Sequence, residues 1–162
     1  MIEFTIPVNP RPKKNNPMIL WRKQDFKIKI GARVLATIPF TPFVVPSKGF
    51  SDFENEIMPF LKRIKEEVGV IDYPCNIQAV YYRSTKHTID LTNLNEALHD
   101  AMVKSGCILD DIRDLIAGTD GSRIFYDKFN PRIEVTISKM ENYHQWKNTL
   151  VEQKKLYEDI LK

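Results

Sequence analysis

Residues 87–111, HTIDLTNLNEALHDAMVKSGCILDD, combine a helical pattern of apolar residues with acids at both ends of it. Apolar residues recur in this stretch at helical spacing and predict a helix with one buried face. They are Leu91, Leu94, Leu98, Ala101 and Met102. Gly106 is expected to follow the helix as its C′ residue. One acid, Asp90, comes just before this helix, and an acidic pair, Asp110-Asp111, comes just after it.

The acids at the two ends of this helix can share a site only if the chain turns back. At 1.5 Å per residue, Asp90 and Asp111 would otherwise lie about 25–30 Å apart. A return after Gly106 would bring residues 107–111 alongside the helix start. The strand-like residues after Asp111 favour such a return.

The remaining patterns predict an α+β domain. An S-x-x-E capping box at Ser51 and apolar residues at helical spacing indicate a second core helix over 51–68, which Pro59 is expected to kink or displace. Alternating segments predict the strands. They lie at 2–6, at 26–30 and 33–38 as a hairpin around Gly31-Ala32, at 76–83, around the 119–122 turn, and at 132–137. The segments 7–23 and 41–50 are expected to be irregular because they are rich in proline.

The predicted architecture is therefore a mixed β-sheet of about four to five strands packed with two core helices, plus a C-terminal helix. The domain is expected to cover 1–140, and the helical extension 141–162. A stripe of apolar residues supports that last helix. It consists of Tyr143, Trp146, Leu150, Tyr157 and Leu161.

Composition narrows the class of protein. No run of 18 apolar residues and no signal-like N-terminal pattern occurs in the 162 residues, so we expect no membrane span and a cytoplasmic location. Two cysteines, Cys75 and Cys107, are too few for a disulfide framework or a zinc site, and we interpret both as buried or neutral thiols. The scattered His87, His99 and His144 do not indicate a nucleophile–base pair, and His99 is interpreted as a surface or interfacial residue.

The formal charge of +3 is unevenly distributed. Nine cations and two acids give residues 1–48 a balance of +7, which leaves −4 for the rest. Such an asymmetry is typical of a protein that binds a polyanion with one region and cations with another. The alternative is that the basic loops are ordinary solvent-exposed surface. The candidate nucleic-acid contacts beside Trp21 are Arg11, Lys13, Lys14, Arg22 and Lys23, and Lys86 is a further candidate. Trp21 could stack on a base, or it could instead cap the edge of the core.

Carboxylates gathered around the predicted helix would suit a hard divalent cation. Mg²⁺ usually takes one or two protein carboxylates and completes its shell with water and phosphate, so Asp90 and Asp111 would suffice. A metal held there could promote phosphodiester hydrolysis. The alternative is that Asp90 is only an N-cap and Asp110-Asp111 only a turn.

The motif D-L-x-N-L, followed by an acid near the helix end, a short Gly-containing turn and L-D-D, resembles the RusA family of Holliday junction resolvases. The order of the predicted elements is similar to that family over about residues 2–140. The resemblance implies a dimeric, Mg²⁺-dependent endonuclease of recombination and repair that cuts four-way or branched DNA, with Mn²⁺ as a substitute. It also implies Asp90, Asp110 and Asp111 as the metal-binding acids, with Asp111 the ligand of the acidic pair. Asn93 and Asp100 fall on family positions.

Two positions depart from the family pattern D-x-D-N-x-x-K, because Thr92 replaces the second aspartate and Glu96 replaces the lysine. Thr92 and Glu96 are one helical turn apart, so Glu96 could supply the third carboxylate and act as a catalytic residue. Lys86 or Lys104 could then supply the cation. Two alternatives remain open: a protein of the same fold that binds branched DNA without cutting it, and a purely structural domain.

Overall fold

The computed structural model describes residues 1–13, 18–45, 47–143 and 148. Within them the fold is α+β, as predicted, with two helices and a mixed five-stranded sheet. The elements in chain order are β1 (Ile2–Ile6), β2 (Met18–Ile30), β3 (Arg33–Val45), α1 (Lys48–Val68), β4 (Cys75–Arg83), α2 (Leu91–Ser105), β5 (Ile116–Gly118), β6 (Arg123–Tyr126) and β7 (Arg132–Lys139). No helix in the described part of the chain is long and apolar enough to cross a membrane.

The main sheet has the strand order β1-β7-β4-β5, and β6 also pairs with β4. The β1–β7 and β7–β4 pairs are antiparallel, whereas β5 and β6 run parallel to β4. Side chains alternate across β4, and Ile77, Ala79 and Tyr81 point into the core. The two helices also contribute apolar groups to this core. Among them are Phe53, Ile57 and Leu61 of α1 and Leu94, Leu98 and Met102 of α2.

Helix α1 begins earlier than its sequence suggested. Its N-cap is Ser47, whose hydroxyl accepts a hydrogen bond from the backbone N–H of Phe50 at 3.2 Å. The Ser47 carbonyl also accepts from the Ser51 N–H at 3.0 Å, so Ser51 is already helical rather than the cap. Pro59 lies inside the helix and does not displace its start.

The largest difference from prediction is a ribbon formed by β2 and β3. The two strands of 13 residues each pair antiparallel from Met18↔Val45 to Ile30↔Arg33. The irregular structure predicted for 18–23 and 41–45 was wrong, because these two segments supply each other's hydrogen-bond partners. Pro42, opposite Trp21, is tolerated because a two-stranded ribbon leaves one edge of each strand free.

The cysteines are buried free thiols, in agreement with the sequence interpretation. Burial raises the pKa of the Cys75 thiol to about 11 and also raises the pKa of Cys107. Near the end of the described chain, the Tyr143 hydroxyl donates to the Arg113 carbonyl at 3.1 Å. The predicted C-terminal helix falls almost entirely on residues 144–147 and 149–162, which lie outside the described residues.

Candidate functional site

The chain turns back after α2, which is the first part of what a site shared with Asp90 requires. Gly106 adopts the left-handed conformation at φ 75°, and its N–H donates to the Val103 carbonyl at 2.8 Å. The Cys107 thiol then donates to the Leu61 carbonyl on α1, also at 2.8 Å. Ile108 forms a parallel bridge with Ile71. These contacts hold the returning segment in place, and it leads directly to Asp110 and Asp111.

After the return, Asp111 acts electrostatically on the same lysine as acids that belong to α2. Lys13 forms an ion pair with Asp100, and the hydrogen bond between them raises the pKa of Lys13. The charges of Glu96 and Asp111 attract the same ammonium and raise this pKa further. Three carboxylates from two segments therefore act on one lysine of the N-terminal loop. We call Glu96, Asp100 and Asp111 the acidic face.

His99 lies beside this acidic face and is more buried than its interpretation as a surface or interfacial residue suggested. Its ring nitrogen Nε2 is buried and has no hydrogen-bond partner among the described residues. Burial lowers the pKa of His99, and the charges of Asp111 and Asp100 oppose this shift only in part. The imidazole is therefore neutral at pH 7.

Asp90 has a structural function at the start of α2. Its Oδ1 accepts a hydrogen bond from the Thr92 N–H at 2.9 Å, so it is the helix N-cap. Asp110 Oδ1 accepts a hydrogen bond from the N–H of the next residue, Asp111, at 2.8 Å. The N-cap alternative is thus correct for Asp90, whereas Asp110 and Asp111 lie in irregular backbone. These findings do not decide whether the same carboxylates also bind a metal.

The acids do not form a preassembled metal cage. Among residues 1–13, 18–45, 47–143 and 148, no group of three or more His, Cys, Asp or Glu side chains could hold a metal ion. The donors on the acidic face are nevertheless carboxylates that already attract a cation, and Mg²⁺ needs only one or two of them. The ligand set Asp90, Asp110 and Asp111 stays a prediction.

The predicted DNA contacts lie in separate places. Arg11 forms ion pairs with Asp52 at 3.7 Å and Glu56 at 3.6 Å on α1, so it anchors the N-terminal loop. Lys13 contacts the acidic face, and Lys14 lies outside the described residues. Arg22 and Lys23 are exposed on the ribbon, and Lys86 lies 4.8 Å from the ring centroid of Tyr126.

Trp21 does not cap the core. It is on the ribbon and 65% exposed, which leaves its ring accessible to a ligand. A second aromatic and cationic group was missed by the sequence analysis. The Arg132 guanidinium lies 3.6 Å from the Tyr82 ring centroid, and Tyr82 stacks on Phe125. Tyr82 is paired with Arg132 on β7 and with Phe125 on β6, so these three side chains form a row across three strands. The residue spacing within a single strand does not predict such a row.

Comparison with known proteins adds no family assignment, because no family model and no curated protein matches this chain.

Proposed function

We propose that this protein is a Mg²⁺-dependent endonuclease that binds four-way or branched DNA and hydrolyses its phosphodiester bonds. The resemblance to the RusA family suggests this activity. The observation that carries it is the return after Gly106, since Asp111 acts on the same lysine as Glu96 and Asp100. Asp111, beyond the end of α2, thus acts on the same cation as two acids of the helix, and the resemblance adds Asp90 and Asp110 to the proposed set.

Asp90, Asp110 and Asp111 are the proposed ligands, and Glu96 is the proposed catalytic residue that compensates for Thr92. A bound Mg²⁺ would polarise the phosphodiester and activate a water, and Mn²⁺ would substitute for it. Lys13 neutralises part of the acidic face before DNA arrives, which reduces repulsion between these carboxylates and phosphate. Thr92 is exposed beside Asp90, and Asn93 is half-buried.

The basic residues of the ribbon and of the β4–α2 loop are the proposed DNA contacts. Arg22, Lys23 and Lys86 are exposed, and contacts of this kind bind phosphate without encoding sequence. We therefore propose selection by DNA shape rather than by base sequence. An enzyme that acts on cellular DNA during recombination and repair would be cytoplasmic.

The test is cleavage of a labelled four-way junction with Mg²⁺ or Mn²⁺. Asp111→Asn keeps the size of the side chain and removes its charge. It is expected to reduce cleavage by more than about 100-fold, because the loss of a ligand should exceed the 10–100-fold loss that is typical when a group supporting a ligand is changed. Asp120→Asn is the matched control, because Asp120 is an exposed acid in the turn between β5 and β6. Equal loss in both variants, or full activity of Asp111→Asn, would contradict the assignment.

A second candidate function is binding of branched DNA without cleavage. One observation favours it: the Lys13–Asp100 ion pair already occupies part of the acidic face. Its prediction is tight, salt-dependent binding of the junction with no cuts under either metal. The same experiment therefore separates the two candidates.

A further inference from the structure

A small cationic pocket lies between the β4–α2 loop and strand β6. Arg83, at the end of β4, lines it together with Lys86 and His87 of the loop, and Phe125 and Tyr126 line it from β6. No acidic side chain of the described chain lines this pocket. The pocket therefore combines uncompensated positive charge with aromatic rings.

Arg83 is a partly desolvated cation that has no counter-ion among the described residues. Its Nη1 donates to the His87 carbonyl at 2.6 Å, which holds the guanidinium against the loop, and its buried Nε has no hydrogen-bond partner there. Burial lowers the pKa of Arg83, and no carboxylate of the described chain opposes this shift. The guanidinium is still charged at pH 7, and a partly buried charge without a partner is costly. The surroundings of Arg83 therefore favour an anionic ligand.

The neighbouring Arg132 is in the opposite situation. Its guanidinium pairs with Asp127 at 3.1 Å and with Glu134 at 2.7 Å, so its charge is already compensated. Lys86, in contrast, has no ion pair within the described ranges, and its ammonium lies 4.8 Å from the centroid of the Tyr126 ring. An aromatic ring attracts an ammonium but leaves its net charge in place. The positive charge of the pocket is therefore available to a ligand.

The ring of Phe125 supplies a flat apolar surface beside these cations. It stacks on Tyr82, with the ring centroids 5.6 Å apart and 28° between the planes. Phe125 is nevertheless 50% exposed, so its ring remains accessible to a second planar group. Any nucleic-acid base can stack on such a ring, because every base has a π-face. The pocket thus offers separate places for a phosphate and for a base.

We propose that this pocket binds one unpaired nucleotide of single-stranded DNA, with its phosphate on Arg83 and Lys86 and its base on Phe125. Guanidinium and ammonium groups are the usual protein partners of phosphate. The pocket volume of about 220 Å³ is below the roughly 300–1,000 Å³ of sites that enclose a whole small molecule. It therefore suits one unit of a longer chain, the rest of which stays in solvent. A base inside a duplex must first leave its stack to reach Phe125, so single strands are favoured.

The choice of DNA as the nucleic acid rests on the proposed function, in which Lys86 already contacts phosphate. The new element is the recognition of an unpaired base, which adds single-stranded regions beside a branch to the proposed substrates. An inactive nuclease can still bind a single strand in the absence of metal, and an active nuclease can fail to bind it. The two failures are therefore distinguishable.

The experiment is fluorescence anisotropy of a short labelled DNA strand, alone and annealed to its complement, without divalent metal. Phe125→Leu keeps an apolar side chain and removes the aromatic ring. It should weaken single-strand binding about 5- to 100-fold, the range that stacking of one base contributes, and leave duplex binding unchanged. Phe129→Leu is the matched control, because Phe129 is 91% exposed and does not line the pocket.

Lys86→Ala tests the cationic half of the pocket through an exposed side chain. It should lower the slope of log affinity against log salt concentration by about 0.7, the value for one phosphate contact on a single strand. Lys128→Ala is the matched control, because it removes the same charge from a lysine that lies over Phe129 and not in the pocket. This control should leave the slope unchanged.

Thermal unfolding of each variant checks that the domain is intact. Unchanged single-strand binding by folded Phe125→Leu would overturn the proposal, and so would an equal loss in Phe129→Leu or an equal loss of duplex binding. If Phe125→Leu does not fold, an unchanged salt slope in Lys86→Ala overturns it instead. Competition supplies one more outcome. Thymidine monophosphate should displace the strand at lower concentration than inorganic phosphate or a phosphotyrosine peptide, and equal or better displacement by either of these would overturn the proposal.

Discussion

The hydrogen bond between Tyr81 and Asn95 provides a quantitative test of how α2 is held on the sheet. The Tyr81 hydroxyl donates to Asn95 Oδ1 at 2.9 Å, and the two residues are 1% and 9% exposed. Burial raises the pKa of Tyr81, so the hydroxyl stays protonated and remains a donor. Tyr81→Phe removes the donor and leaves a buried carbonyl oxygen without its partner. That costs about 1–3 kcal/mol of unfolding free energy.

For a chain of this size, 1 kcal/mol corresponds to a Tm change of about 2–4 °C, so a cost of about 2 kcal/mol lowers Tm by roughly 4–8 °C. Thermal unfolding followed by circular dichroism measures this shift. Tyr126→Phe is the control, because Tyr126 is 47% exposed and should change stability by less than about 0.5 kcal/mol.

The double variant Tyr81→Phe/Asn95→Leu removes both polar partners and should recover much of the loss. A Tyr81→Phe protein with an unchanged Tm would refute this reasoning. Equal destabilisation by the Tyr126 control would refute it as well. Since Asn95 precedes Glu96 on α2, the same bond also fixes the helix that carries the acidic face.

Three further predictions concern the turn, the buried histidine and the lysine at the site. Gly106→Ala should lower the unfolding free energy by about 1–2 kcal/mol in urea titrations, because φ is 75° and Cβ would also displace the Lys65 ammonium. Because the pKa of His99 is lowered, its imidazole binds a proton more weakly in the folded state than in the unfolded state, in which the pKa has its ordinary value of 6.5. Stability should therefore be full above pH 6.5 and fall as the pH decreases below it, and His99→Gln should lessen that fall between pH 7 and 5. Lys13→Ala should increase Mn²⁺ affinity in calorimetric titrations, by at most about five-fold because the Lys13–Asp100 ion pair is partly exposed. Lys86→Ala is the control and should leave the Mn²⁺ affinity unchanged.

Local patterns predicted the local parts of the fold. The apolar spacing of α2, its N-cap at Asp90 and the left-handed Gly106 are all present as expected. These features depend on residues within a few positions of each other, which a single sequence displays directly. The alternation of β4 and β7 was equally clear, because one face of each strand is buried.

Contacts between distant segments were not predictable in the same way. The length of β2 and β3 depends on pairing between segments as far apart as Met18 and Val45, and the prolines that precede β2 and lie within β3 obscured this pattern. The Lys13–Asp100 ion pair joins residues 87 positions apart, and no sequence spacing marks it. The neutral state of His99 likewise follows from tertiary burial rather than from its neighbours in sequence.

The most direct test of the proposed activity compares two substrates rather than two variants. Wild-type protein with Mg²⁺ is incubated with a labelled four-way junction and with a linear duplex of the same sequence, and the cut positions are mapped on every strand. The proposal predicts paired cuts in opposed strands of the junction and an intact duplex. Tight binding of the junction without cuts, or equal cutting of both substrates, would contradict it.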